Sequence, residues 1–337
     1  MKAAVARGSG VEVTSVPDPV ISDGEILVEM RVCGVCGTDL FKLRNRTVPD
    51  GTVLGHEVAG VVRDSRIDTL SPGDRVFVPH HVPCGECRVC RRGNPPMCAD
   101  FKVNCMDPGG WCELIRVLPP SAAKGVRVLP DGMDFAAGAL IEPLACCLRS
   151  VDRSGMQPGD TVLVVGAGQV GSYHIMTAAA RGAGRIIACD IDAVRLEAAR
   201  TIGAHDTVDA SAGGAAEAVQ ELCPGGVDAA FVTSESRAAA VTAIESIREG
   251  GTVVLFAHGE EEIGFDPNRL LKGERTITAS YSSSPDDHLA VMEMLSDGRF
   301  DPGRLETVRF PLARAADAVR AAQDRQALRI VVENGGE

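Results

Sequence analysis

The rhythm of apolar and polar positions changes near residue 147. Before it, short runs such as EILVEMRV (25–32) and DRVFVPHHV (74–82) stand between Pro and Gly turns, which predicts a mainly β region over 1–147. From GDTVLVVGAGQVG (159–171) onward, short apolar runs (TVLVV, RIIACD, DTVDA, DAAFVT, GTVVLFAHG) alternate with Ala-rich helical stretches (GSYHIMTAAARGA, AVRLEAARTIGA, AAEAVQELC, AAVTAIESIREG). Strands separated by helices predict parallel βαβ units in a doubly wound sheet over 148–282. PDDHLAVMEMLSDG (285–298) and AADAVRAAQDR (315–325) then read as amphipathic helices before a last strand, RIVVE (329–333).

A length of 337 residues exceeds one ordinary core, so two domains are expected. Hydrophobic residues at 45% and charged residues at 24% fit a soluble globular chain. Acidic residues exceed basic ones by 46 to 34, a net charge of −12, which opposes nucleic acid and anionic membrane as partners. A cationic substrate would suit that charge, although solubility alone accounts for it. The start, MKAAVARGSGVEV, lacks the apolar run of a leader, and no segment approaches the roughly 18 apolar residues of a membrane span. A cytoplasmic location is expected, where thiols stay reduced and clustered cysteines indicate metal rather than disulfides.

In VVGAGQVGSYH the glycines Gly166, Gly168 and Gly171 follow an apolar strand and open a helix. A turn through Gly166, Gly168, Gln169, Val170 and Gly171 in that context can seat a pyrophosphate on the helix N-terminus. The next strand ends at Asp190, nineteen residues past Gly171, where a carboxylate would accept from adenosine ribose hydroxyls. It would repel a 2′-phosphate and Ile191 follows it, so NAD is expected over NADP; Arg195 is within reach of ribose or phosphate.

Two metal sets can be drawn. Cys84, Cys87, Cys90 and Cys98 form C-x2-C-x2-C-x7-C on a segment rich in Gly and Pro, the spacing of a closed tetrahedral structural zinc. Four free thiols or an iron–sulfur cluster are the alternatives. A dispersed set, Cys36 in CGVCGTD, His56 and Glu57 in GHE, and Glu142 in IEPLA, suits a catalytic zinc with an open position, but spacing alone does not assemble it.

GVCGTD, GHEVAGVV, GDRV, the four-cysteine loop, GGWCE, EPLACC, GAGQVG, GAHDTV and REGGTVV stand in one order along nearly the whole chain. With these motifs the chain resembles the zinc-dependent medium-chain alcohol dehydrogenase family, in its polyol and threonine dehydrogenase branch. The resemblance implies an α/β fold: a GroES-like catalytic domain over 1–147, completed by 283–337, and a Rossmann NAD-binding domain over 148–282, with the active site in the cleft between them. It implies two Zn²⁺ per chain, NAD, an alcohol or ketone substrate, and a homodimer or homotetramer. Cys36, His56 and either Glu57 or Glu142 would ligate the catalytic zinc, which lowers the pKa of an alcohol before hydride passes to nicotinamide. Thr38 matches the family's hydroxyl relay and Asp39 a carboxylate that orients His56.

One departure is Phe41, where many members carry the histidine at the outer end of the relay; a phenyl ring carries no proton, so exit must use water or another group, with Lys42 and Glu57 conceivable. His80 and His81, just before Cys84, fall where the family builds its substrate pocket and would suit a hydroxyl-rich substrate; structural hydrogen bonding in a turn is the alternative. The expected function is NAD- and zinc-dependent oxidation of a secondary alcohol, or the reverse, on a polyol, sugar or cyclitol. An aminosugar or aminocyclitol in antibiotic biosynthesis falls within that class. A threonine-type amino alcohol dehydrogenase and a non-catalytic NAD- and zinc-binding protein are the competing readings.

Overall fold

The structure, a computed structural model, describes residues 1–103, 105–257, 259 and 261–335. They form two compact units: Met1–Glu142 with Ser283–Ser296 and Glu306–Glu337, and Pro143–Ser282 with Asp297–Leu305. The apolar-run reading put its boundaries at 147 and 282. In the run GTVVLFAHG, His258 lies outside the described residues.

The first unit is organised on the strand Ile26–Gly34, whose side chains alternate between buried and half-buried and become fully buried from Val32 on. It pairs antiparallel with Val58–Ser65, Leu114–Val117 and the late strand Arg329–Glu333, so Val331 lies opposite Gly34. Ala315, Ala318 and Val319 recur at helical spacing on Ala315–Gln323 and are buried in the same core as Ile26, Met30 and Trp111. Burying an aliphatic side chain the size of valine is worth about 1.5–3 kcal/mol, which is what ties the late elements to this sheet.

The second unit is a six-stranded, all-parallel sheet in the order Asp206–Asp209, Arg185–Asp190, Thr161–Val165, Val227–Val232, Ile247–Leu255, Thr276–Ala279. In chain order this is 3-2-1-4-5-6, the dinucleotide-binding arrangement, with its switch point beside Thr161–Val165. The stretch AAVTAIESIREG reads as one helix, but the helix Arg237–Ser246 stops at Ser246 and Ile247 opens the next strand. Gly250 with φ +71° turns the backbone there, a conformation that no helix interior holds.

Candidate functional site

Cys36 ends the extended backbone after Ile26–Gly34 and caps the helix Gly37–Arg44, so Thr38 and Asp39 fall in its first turn. His56 and Glu57 precede Val58–Ser65, held to the neighbouring strand by Gly34 N–H donating to Glu57 O at 2.9 Å. Gly55, at φ +88°, makes the turn before them; a Cβ there would lie 2.6 Å from Cδ1 of Trp111. Trp111 is fully buried and donates from Nε1 to Gly34 O at 3.2 Å, so its role is packing.

One ligand atom each from Cys36, His56 and Glu57 lies within 4.8 Å of the others. His56 Nδ1 is 3.3 Å from Asp39 Oδ1, which leaves Nε2 as the ring atom for a metal. Burial pushes the imidazole down, but the charges of Asp39 and Cys36 outweigh it and hold His56 well above its ordinary value. A site that attracts a proton this strongly attracts a divalent cation for the same reason. Burial raises the Cys36 thiol, and burial followed by the Glu142 charge pushes Glu57 up to about 7.

The donor set fits zinc: a thiol, an imidazole and a carboxylate. Oε2 of Glu57 and Oδ2 of Asp39 are buried with no hydrogen-bond partner, an arrangement that costs free energy unless a cation compensates. Glu142, 6% exposed in the first turn of Ile141–Ser154, acts on Glu57 by charge, but its oxygens do not join the set in which every pair lies within 4.8 Å. Arg329, 2% exposed, donates to Ala136 O at 2.6 Å, and its charge lowers Glu57 against the effect of Glu142. Its place at the head of RIVVE was the only signal in the sequence.

The His80 ring packs tilted against His56 with centroids 4.7 Å apart, and His81 lies tilted against His80 at 4.0 Å. Burial and the neighbouring His56 push both down, His81 to about 4, so both rings are neutral near pH 7 and can donate and accept hydrogen bonds. Phe41 lies under the Arg44 guanidinium, 5.8 Å from its centroid. The Lys42 charge is felt at both His80 and His81.

In the four-cysteine loop Gly85 and Gly93 take positive φ and one helical turn, Arg88–Arg91, places Cys90. Sulfur separations are 3.5 Å for Cys87–Cys90, 3.5 Å for Cys98–Cys84 and 4.0 Å for Cys84–Cys90. Zn–S bonds of about 2.3 Å in a tetrahedron require edges of roughly 3.8 Å, so the loop is shaped for that ion. Backbone N–H groups of Cys87 and Cys84 point at the sulfurs of Cys84 and Cys98, at 3.3 and 3.5 Å.

In the second unit Gly166 has φ +104°, and a Cβ on Gly171 would lie 1.8 Å from Gly166 O, so both positions demand glycine. A Cβ on Gly168 would meet only the tip of Arg195, at 3.5 Å, leaving the turn open to a ligand. Gln169 and Val170 start the helix Gln169–Ala180. Asp190, 8% exposed, accepts from Ala167 N at 2.6 Å on Oδ2 and from Ile191 and Asp192 N at 2.8 and 3.0 Å on Oδ1; Arg195 is 3.9 Å from Oδ2. Its carboxylate therefore braces the glycine turn with three of its roughly four acceptor sites and keeps one on Oδ2. Thr233, which no motif singles out, hydrogen-bonds the same turn.

Among the described residues no helix is long and apolar enough to cross a membrane. The family model for the alcohol dehydrogenase GroES-like domain matches residues 22–129, and that for zinc-binding dehydrogenase matches 170–297. The chain is 30% identical over 334 residues to a sorbitol dehydrogenase of Bacillus subtilis (strain 168), covering 96% of this chain and 93% of the relative. It is 31% identical over 324 residues to D-xylulose reductase A of Aspergillus niger, covering 91% and 90%. A Sinorhizobium meliloti 1021 protein solved with NADP bound, and assigned as a zinc-binding dehydrogenase, superposes with TM-score 0.86 at 27% identity over 98% of each chain. Likeness that runs through more than nine-tenths of the chain, on a thiol loop and a parallel sheet of this kind, means that the chain belongs to the zinc-dependent medium-chain alcohol dehydrogenase family of oxidoreductases.

Proposed function

We propose that the protein oxidises a secondary alcohol of a polyol, sugar or cyclitol to the ketone, or runs the reverse, with NAD as the hydride carrier and two zinc ions per chain. The observation that carries this is the meeting of Cys36, His56 and Glu57 within 4.8 Å, with Oε2 of Glu57 and Oδ2 of Asp39 buried without hydrogen-bond partners. Cys36, His56 and Glu57 would hold the catalytic zinc, with Glu142 acting on Glu57, and Cys84, Cys87, Cys90 and Cys98 the structural one. The catalytic ion would polarise the alcohol and lower its pKa. Asp39 orients His56 through Nδ1. Thr38 would relay the alcohol's proton, its hydroxyl oxygen accepting that proton as it passes its own on towards water.

His80 and His81, as neutral rings, would pair with substrate hydroxyls, and a site with such pairing rejects analogues that lack them. That agrees with the names of the two relatives, sorbitol dehydrogenase and D-xylulose reductase. NAD over NADP is supported by the Asp190 carboxylate at the end of its strand, although the Sinorhizobium neighbour holds NADP. A homo-oligomer is supported by the strand Thr276–Ala279, an outer strand of its sheet with Leu271 and Tyr281 exposed nearby.

The test is NADH and NADPH formation by the zinc-loaded protein on matched polyols, cyclitols, aminosugars, aminocyclitols and threonine, with zinc counted per chain. Neutral polyols with NAD and two zincs is the expected result. A preference for amino-bearing rings would tie the net charge of −12 to recognition. Turnover of simple primary alcohols alone, or one zinc per chain, would overturn the reading.

A further inference from the structure

The peptide unit between Gly166 and Ala167 is gripped from both sides by strands that flank Thr161–Val165. Its N–H donates to Asp190 Oδ2 at 2.6 Å, at the end of Arg185–Asp190. Its C=O accepts from Thr233 Oγ1, also at 2.6 Å, just past Val227–Val232. Thr233 is anchored in turn by its own N–H donating to Val165 O at 3.0 Å, and its hydroxyl lies 3.0 Å from that same oxygen. Gly166 has no side chain and sits at φ +104°, so nothing local to it fixes the orientation of this peptide. A rotation here would swing the following N–H groups, which open the helix Gln169–Ala180.

We propose that Thr233 is a positioning residue for the dinucleotide: its hydroxyl, opposite Asp190, locks the Gly166–Ala167 peptide so that the helix start presents its N–H groups to the pyrophosphate. The inference rests on the reading of this turn as the dinucleotide site. The fit is close, since a Cβ on Gly166 would come within 2.9 Å of Thr233 Oγ1 and one on Gly171 within 3.2 Å. Thr233 itself need not touch the ligand. Removing its hydroxyl leaves the Gly166 carbonyl without this donor and frees the peptide to turn.

The experiment compares wild type, Thr233→Val and Thr233→Ser in the zinc-loaded full chain, by NADH fluorescence titration, steady-state kinetics and thermal melting. Valine keeps the shape and drops the donor, whereas serine keeps the donor. Thr233→Val is expected to weaken NADH binding about five- to tenfold. KM for the dinucleotide should rise with it, KM for the alcohol should stay unchanged, and Thr233→Ser should return to within about twofold of wild type. A merely structural role would lower the melting temperature without separating the two KM values. NADH binding by Thr233→Val at the wild-type level, or failure of serine to restore it, overturns the proposal. If valine does not give folded protein, Thr233→Ala supplies the same comparison. A wild-type protein that fails to bind NADH would overturn the dinucleotide reading itself, and wild-type binding with no effect of Thr233→Val would overturn only this inference.

Discussion

A Cβ on Gly34 would lie 1.8 Å from Oε2 of Glu57, so the carboxylate occupies the space that any other residue at 34 would fill. The two backbones are tied together by the 2.9 Å hydrogen bond from Gly34 N to Glu57 O, and neither can simply move aside. Gly34→Ala should therefore evict the carboxylate from beside Cys36 and His56. We expect one zinc per chain instead of two and a fall in kcat of at least about 100-fold, with melting lowered only by the about 1–3 kcal/mol of an overpacked core position. Full zinc content with near-normal turnover would show that Glu57 does not hold the metal.

The four-cysteine loop buries little of its own surface: Arg88, Arg91, Arg92 and Met97 are all exposed. With the proposed structural zinc bound, its shape would come from the ion. Cys87→Ala should bring zinc from two to one per chain and cost about 3 kcal/mol, roughly 6–12 °C of melting at about 2–4 °C per kcal/mol. The primary isotope effect on hydride transfer should be unchanged. Unaltered melting together with a selective loss of turnover would give this loop a chemical role instead of a bracing one.

Local signals carried far in this chain. The strand and helix context of Gly166, Gly168 and Gly171 needed only neighbours in sequence, and so did the spacing of Cys84, Cys87, Cys90 and Cys98. Cys36, His56 and Glu57 are different: the antiparallel pairing of Ile26–Gly34 with Val58–Ser65 brings them together, a long-range event that no spacing encodes. The resemblance to a family supplied what periodicity did not. Gly34, Arg329 and Thr233 were illegible because each matters through one distant atom, at Glu57, Ala136 or Gly166. The helix end at Ser246 was misread because apolar Ile247 continues the helical spacing while its backbone already belongs to a strand.

Phe41 sits beneath the Arg44 guanidinium on the helix that Cys36 caps, and it offers no lone pair to a departing proton. In the proposed relay, the proton taken by Thr38 would then reach water without a side-chain base at 41. Alcohol oxidation should accelerate with buffer concentration at fixed pH, as an external base substitutes for the missing one. Phe41→His should remove most of that buffer dependence and raise kcat near neutral pH by about two- to tenfold, at the low end of general-base contributions. A wild-type rate indifferent to buffer would mean that another group already serves, and Lys42→Met would then be the variant that exposes it.

His174 is fully buried and held at both nitrogens, Nδ1 2.9 Å from Val170 O and Nε2 3.0 Å from Ser150 Oγ. A carbonyl only accepts, so Nδ1 carries the proton and Nε2 accepts from the serine hydroxyl; a second proton on Nε2 would force that hydroxyl to turn and accept, and would place a charge against Phe231 and Phe256. Burial accordingly pushes His174 down to about 4, against an unfolded value of about 6.5. Between those values the unfolded chain binds more protons than the folded one, so stability is complete above about 6.5 and is lost as pH falls towards 4. From pH 7 to 5 this one ring should cost about 2 kcal/mol. The variant His174→Asn keeps a side-chain N–H donor at this position without a titrating ring. It should therefore lose about that much less stability than wild type over the same interval, read from urea midpoints at the two pH values. His288, buried against Phe77 and pushed down to about 3 by burial and then by Arg127, acts in the same direction, so the variant keeps part of the acid sensitivity. An acid sensitivity identical to wild type would mean that His174 takes up its second proton in the folded chain as readily as in the unfolded one, with the Ser150 hydroxyl turned to accept from it.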